Sequence, residues 1–388
     1  MTTAVVMGDM DVVRALGVAG ISCALFALPD ERARFSRHVT EVLPWIDHWQ
    51  HPADVASALV DFAARQAQPP VVFPQTDGDL LVVSRHRERL AGALRHCLAD
   101  AALVEDLVDK ARFAALAQRA GLPVPRTGRL DPSSGLKPGD LDLRFPLVVK
   151  PILGRHDRWA PLSSAKALHV ATPSELTDLW RALARVDLAL LAQEAIPGPE
   201  SLVESYHAYV DASGEVVAEF TGRKIRTRPA QYGTSTAVEI TRAPELALLG
   251  REVYARIGLR GVAKADFKRD RDGQLKLLEI NPRFTLWHHP GALAGVNIPA
   301  LVHADLTGRV RPPIASASPG VAWCNPLDDL RAARESGQST AAWLRWTRRC
   351  EARSGFAWDD PAPFLRAGVW PVVRGRLGTG RARALRRF

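Results

Sequence analysis

Cysteine is scarce in this chain. Cys23, Cys97, Cys324 and Cys350 are the only four in 388 residues, and no two of them share CxxC spacing. That pattern excludes a disulfide scaffold and a thiolate zinc site, and fits free thiols in a reducing cytoplasm. Long apolar runs are absent as well; the stretch from Val18 to Leu28 is far too short to span a bilayer and stops at Pro29. The N-terminus has neither a charged leader nor a cleavage motif, so no secretory signal is expected. Glycine-based nucleotide signatures are missing: Gly8-Asp-Met-Asp11 does not complete GxGxxG, and there is no Walker A sequence. No GxSxG offers a serine nucleophile. The histidines form no ligand pattern either, with His288 beside His289, and His48 and His51 near an expected loop.

What remains is an ordinary globular composition, 47% hydrophobic and 24% charged, long enough for two or three domains. The net charge of +9 is carried largely by the end of the chain, where Arg374, Arg376, Arg381, Arg383, Arg386 and Arg387 have no acidic neighbours. Elsewhere bases and acids are interleaved without an aromatic-basic motif, so no nucleic-acid partner is expected. The basic tail leaves room for a weak contact with a membrane surface or a protein.

Thr3 to Met7, Ile21 to Leu28 and Pro70 to Pro74 read as strands alternating with helices at Val12 to Ala19, Ala53 to Gln66 and Asp79 to Arg95. Such alternation implies a doubly wound parallel sheet. Pro74-Gln-Thr-Asp77 would lie at its carboxyl edge, where open α/β sheets bind ligands, with Asp77 equally suited to cap the next helix. A second region opens near Asp106, with a helix from Asp109-Lys110 to Gly121. Leu147-Val-Val-Lys-Pro151 then reads as a strand with a lysine at its exit. Burying a lysine is costly without an anionic partner, and a triphosphate would supply one. Leu190 to Gly198 is an apolar strand able to offer main-chain groups to a purine edge. Tyr206 to Val210 and Val216 to Phe220 form a hairpin around Asp211-Ala-Ser-Gly214, continuing to the basic strand end Gly222-Arg-Lys-Ile-Arg226.

The richest stretch is Ala263-Lys-Ala-Asp-Phe-Lys268 followed by Leu275-Lys-Leu-Leu-Glu-Ile-Asn-Pro-Arg283, joined by the turn Asp270-Arg-Asp-Gly273. On strands this puts Asp266 opposite the pair Glu279 and Asn281, which share a face because they are two apart. Two carboxylates and an amide oxygen make a hard-oxygen site suited to Mg²⁺ beside nucleotide phosphates, and Arg283 follows within reach of a phosphate.

The order DK…GLPVP…VVKP…QEAIPG…GRKIR…ADF…LLEINPR resembles the ATP-grasp superfamily, in particular carboxylate–amine ligases related to D-aspartate ligase and the halves of carbamoyl phosphate synthetase, over roughly residues 1 to 310. The resemblance implies a mixed α/β and α+β fold: a pre-ATP-grasp doubly wound parallel domain over 1–105, then an ATP-grasp domain over 106–310 in subdomains of about 106–190 and 191–310. A C-terminal extension with a basic tail would fill 311–388. It implies ATP and one or two Mg²⁺, for which Mn²⁺ can substitute. Lys110 and Lys150 would hold phosphates, Gln193, Glu194, Ala195 and Ile196 would meet adenine, and Glu204 or Glu200 the ribose. Asp266, Glu279 and Asn281 would hold metal, with Lys224 and Arg283 at the γ-phosphate or acyl phosphate. The sequence departs from the family in carrying Asp266 where glutamate is common, and Arg155 and Arg158 in a cover loop, Gly154 to Trp159, that is usually glycine-rich. The expected reaction is ADP-forming amide synthesis from a small carboxylate and an amine; a dimer is compatible with it. The alternatives are a bicarbonate-activating ligase forming carboxyphosphate, an ATP-grasp kinase, and a nucleotide-binding protein without chemistry. Trp323, Trp343, Trp346, Phe356 and Trp358 argue for an ordered extension, but the tail beyond Val369 carries Gly375, Gly378 and Gly380, which weaken any helix.

Overall fold

A computed structural model of the chain describes residues 3–132, 138–152, 159, 167–183 and 188–366. Its first layer is a parallel sheet built from β1 (Ala4–Met7), β2 (Cys23–Phe26), β3 (Val39–Leu43) and β4 (Val71–Pro74), in the order β3-β2-β1-β4. The helices α1 (Met10–Val18) and α2 (Pro52–Ala64) cover it. Every residue of β1, β2 and β4 is buried, as a parallel sheet clothed on both faces requires. β3 was not expected. It is the edge strand, with Thr40, Glu41 and Val42 exposed, so it lacks the apolar run that marks its neighbours. After β4 come α3 (Asp77–Arg85) and the short α4 (Arg87–Leu90), breaking the expected single helix at His86. Thr76, not Asp77, caps α3, in a reciprocal box with Asp79.

Two helices, α5 (Ala101–Val108) and α6 (Lys110–Arg119), lead into the second sheet. Asp109 caps α6 by accepting from the N–H groups of Ala111 and Arg112 at 2.8 and 2.9 Å. The second sheet contains β5 (Thr127–Leu130), β6 (Leu147–Pro151), β7 (Leu168–Val170) and β8 (Leu190–Glu194) in the order β5-β8-β6-β7, with α7 (Pro173–Leu183) on one face. That face is a closed core of Leu147, Val149, Leu176, Leu183, Leu190 and Ala192. Strand alternation turns Lys150, Leu191 and Gln193 the other way.

The third sheet has seven strands: β9 (Val203–Val210), β10 (Val216–Arg228), β11 (Thr234–Thr241), β12 (Gly261–Arg269), β13 (Leu275–Asn281), β14 (Ala322–Cys324) and β15 (Ala352–Arg353). Their order is β13-β12-β9-β10-β11-β14-β15. Helix α8 (Pro244–Arg256) packs on one face through a core with Tyr206, Ala208, Phe267 and Leu277. Next come α9 (His288–Leu293), α10 (Ile298–Thr307), α11 (Pro326–Glu335) and α12 (Thr340–Arg349). The segment read as a separate extension therefore supplies β14 and β15 to the large sheet. Such short strands carry no periodicity for a sequence reading to detect. One hydrophobic core runs from the first sheet (Val6, Phe73) through Phe284 and Trp287 into the third (Phe220, Val238), whereas the core of the four-stranded second sheet is separate. Among the described residues, no helix is long and apolar enough to cross a membrane. Residues 154–158 of the cover loop, with Arg155 and Arg158, and the tail beyond Val369 lie outside the described residues.

Candidate active site

The hairpin of β12 and β13 forms because Asp270 accepts from the N–H groups of Asp272 and Gln274 at 3.0 and 2.9 Å, and Gly273 takes φ +78°. Its register sets Asp266 directly opposite Glu279 and Lys264 opposite Asn281, all on the face turned away from α8. On the other side of β12, Ser205 of β9 stands opposite Asp266 and donates to it at 2.5 Å. Asp266 is 1% exposed. Its second oxygen lies 2.7 Å from Lys264 Nζ and 3.7 Å from Lys224 Nζ, and Lys224 also reaches Glu200 at 3.4 Å. Asn281 donates to Glu279 at 3.1 Å.

Charges on this wall support one another. Burial alone would raise the Glu279 pKa, but the ammonium groups of Lys264, Lys224 and Lys150 and the Asn281 amide hold it well below the usual carboxylate range. Burial likewise works against Lys224, yet Asp266, Glu200 and Glu279 keep its pKa above that of an ordinary lysine. The opposite wall is different. Lys150 Nζ has a neutral partner, Gln193 Oε1 at 3.3 Å, and Gln193 in turn donates to Thr127 Oγ1 at 3.1 Å. Burial pushes the Lys150 pKa down to about 8, and Lys110 adds to the effect while Glu279 offsets part of it. Lys110 is also lowered by burial, against the pull of Glu279, Asp77 and Asp109. It sits at the start of α6, where its Nζ reaches the carbonyl of Ile152 at 3.4 Å.

Between the walls lies a cleft of about 720 Å³, lined by Lys110, Lys150, Leu191, Gln193, Glu279 and Asn281, with Phe113, Val124 and Leu278 supplying apolar surface. Its size suits a nucleotide. The structure thus brings Lys110, Lys150, Gln193, Glu279 and Asn281 to one cleft, and sets Asp266 and Lys224 beside them on the large sheet. It does not bring in all the others. Glu194 accepts from the Arg144 N–H at 3.0 Å and lies 3.8 Å from Arg126, outside the cleft lining. The N–H groups of Glu194 and Ala195 are already bonded, to the carbonyls of Arg126 and Pro146 at 2.9 Å each. A purine edge would have to be met by their carbonyls and by Ile196. Glu204 is opposite Phe267 in register, on the α8 face, 3.6 Å from Arg269. Strand alternation turns it away from the cleft, and Glu200, tied to Lys224, is the acid left on the cleft side. Arg283 is held by Asp77 at 2.6 Å, the Gln75 carbonyl at 2.8 Å and Asn281 Oδ1 at 3.1 Å, so much of its donor capacity is already engaged. Arg223 and Arg226, read as part of a basic strand end, point to the far face and pair with Glu239 and Asp329.

Two residues escaped the sequence reading. Lys264 stands two before Asp266, and that period-two spacing was sufficient to find it. Ser205 needed the β9–β12 register, which no local pattern reveals. Asp266, Glu279 and Asn281 form a donor set of hard oxygens without sulfur or imidazole, which fits Mg²⁺ once the Asn281 amide turns its oxygen from Arg283.

A family model described as "ATP-grasp in the biosynthetic pathway with Ter operon" matches residues 188–324. A D-alanine–D-alanine ligase of Halorhodospira halophila is 30% identical over 218 residues, 53% of this chain and 67% of that one. A D-aspartate ligase of Enterococcus faecium is 26% identical over 240 residues, 59% of this chain and 56% of that one. The chain spans 54% and 63% of the length of two further D-alanine–D-alanine ligases, from Stutzerimonas stutzeri and Pseudomonas fluorescens. Among solved structures, the N5-carboxyaminoimidazole synthetase of Staphylococcus aureus in complex with ADP superposes with a TM-score of 0.63 at 14% identity, covering 87% of this chain and 86% of that one. At that identity the likeness speaks for the fold.

Proposed function

The chain belongs to the ATP-grasp superfamily, and from that premise we propose that it is an ADP-forming ligase that activates a small carboxylate as an acyl phosphate and joins it to an amine. The observation that carries the reading is the set of Asp266, Glu279 and Asn281 on one face of the large sheet, with Lys224 and Lys264 paired to Asp266 beside the cleft and Lys150 on its opposite wall. The names of the relatives, which join amino acids, favour an amino-acid-like substrate.

A free carboxylate acylates poorly because its leaving group would be oxide. Transfer of the ATP γ-phosphoryl group replaces that oxide with phosphate. Lys110 and Lys150 would hold the phosphates, and Leu191 and Leu278 would flank the base, with Glu200 at the ribose. Asp266, Glu279 and Asn281 would hold Mg²⁺, which when bound supplies neutralisation of the phosphate charge. Lys224 and Lys264 would stabilise the negative charge that grows on the transferred group and on the acyl oxygen, and the surrounding carboxylates favour the protonated form of Lys224. The amine then attacks the acyl carbon, phosphate leaves, and the amide nitrogen loses its proton. No enzyme nucleophile is needed.

A coupled ADP-release screen of amino acids and small carboxylic acids, singly and in pairs, with products weighed by mass spectrometry, tests this. ADP release that requires both an acid and an amine, with an amide product, supports the ligase. Release with bicarbonate alone would favour carboxyphosphate formation, and a phosphorylated alcohol would favour a kinase. No release with any pair, despite tight Mg²⁺–ATP binding, would leave a nucleotide binder without chemistry.

A further inference from the structure

The segment after residue 310 carries none of the motif residues, yet one of its carboxylates is connected to the cleft. Asp329 of α11 is fully buried, at 0% exposure. Arg226 donates to its two oxygens from Nε at 2.7 Å and Nη2 at 2.6 Å, Thr236 Oγ1 at 3.0 Å and Trp343 Nε1 at 3.1 Å. The Arg226 guanidinium also lies 5.2 Å from the centroid of the Trp346 ring. One carboxylate thus gathers donors from β10, β11 and α12. A buried charge is tolerated only when paired this fully.

Arg226 comes from the point where β10 loses its register. Lys224 pairs with Val238 and Arg226 with Ala237, which leaves Ile225 as an extra residue. In a regular strand, residues two apart share a face. The bulge breaks that rule: Lys224 stays on the cleft face, while Ile225 packs against the core of Ala237, Cys324 and Cys350 on the far face, where Arg226 meets Asp329. We propose that Asp329 is a positioning residue. By anchoring Arg226 it fixes the bulge, and so holds Lys224 Nζ at Glu200 and Asp266 and within reach of the terminal phosphate. This rests on the phosphate role given to Lys224 above.

Calorimetric titration of the full chain with Mg²⁺–ADP and with Mg²⁺–AMP-PNP tests it, because only the second ligand carries a third phosphate group. Lys224→Met is expected to lower the preference for AMP-PNP over ADP roughly tenfold, the scale of one charge-assisted hydrogen bond. Asp329→Asn should lower the same preference about threefold or more while leaving ADP affinity near wild type, and Asp329→Glu should restore part of it. The double variant should be no worse than Lys224→Met alone, since both changes act through one side chain. Preference unchanged in Asp329→Asn, weakening of both ligands alike, or losses that add in the double variant would each overturn the positioning role while Lys224→Met still shows its own loss. If Lys224→Met keeps the wild-type preference, the phosphate role of Lys224 fails and the positioning role fails with it. Should Asp329→Asn not fold, the apolar pair Arg226→Met with Asp329→Leu removes both buried charges together, and the same loss of preference is expected. A folded pair variant with wild-type preference overturns the proposal.

Discussion

The two sheets that face each other across the cleft handle charge in opposite ways. On the seven-stranded sheet, Lys264, Lys224, Asp266 and Glu279 form one network, in which the carboxylates raise the Lys224 pKa and the lysines lower that of Glu279. On the four-stranded sheet, the hydrogen-bond partner of Lys150 among the described residues is the neutral Gln193, and burial drags its pKa to about 8 despite the pull of Glu279. A balanced wall is organised before any ligand arrives, as transition-state stabilisation demands. An under-compensated lysine gains most when an anion enters. On the proposed function, the large sheet would serve the chemistry and the small sheet the capture of phosphate.

The sharpest way to break this contrast is Glu279→Gln. The change keeps size and one oxygen ligand but removes a charge that the large wall is arranged to hold. ADP formation should fall on the order of a hundredfold or more and recover in part at high Mg²⁺, while ATP still binds. Normal turnover at low millimolar Mg²⁺ would end the metal assignment.

Lys150→Ala probes the other wall and should act on affinity first. The Michaelis constant for ATP is expected to rise about tenfold, the worth of a lost charged contact, with the melting temperature unchanged or raised because a poorly paired buried charge is gone. Wild-type affinity and turnover in this variant would reduce Lys150 to a strand-end lysine.

A pH titration refines the same point. In the role proposed for Lys150 its charged form binds phosphate, and a bound triphosphate would favour that form, putting the pKa in the complex above the value of about 8 in the free protein. Nucleotide affinity should therefore be full below pH 8 and decline as pH rises through that value, and Lys150→Ala should flatten the decline. Calorimetry across that range in both proteins decides it. The smallest effect is expected from truncation after Val369. Rates of ADP formation on soluble substrates should stay near wild type, and their collapse in a folded truncated protein would give the tail a part in the site.

Much of this contrast was legible in the residues. Alternation and the Asp270-Arg-Asp-Gly273 turn gave the β12–β13 hairpin, and with it Asp266, Glu279 and Asn281 on one face. Apolar strand runs separated by helices gave the parallel sheet. What failed depended on which face a residue takes. Glu204 and Glu200 are equally acidic and four apart, and only the β9–β12 register turns Glu204 toward α8. The bulge at Ile225 sends Arg226 away from Lys224, and its cause, Asp329, lies 103 residues further along. Arg283 was read as facing a phosphate, and its bond to Asp77 at the start of α3, 206 residues earlier, leaves no local signal.

That last link has a mechanical consequence. Arg283 fastens the end of β13 to residues 75 and 77, and Phe284 packs edge-on against Phe73 with ring centroids 5.0 Å apart. The first and third sheets also share one hydrophobic core, while the second sheet keeps its own. The first and third sheets thus form a single anvil, and the small sheet that carries Lys150 is the hammer. Were the cleft to open, the least packing would be lost by moving the small sheet as a unit, changing the distance from Lys150 to Glu279 while leaving Asp266 and Lys224 in place.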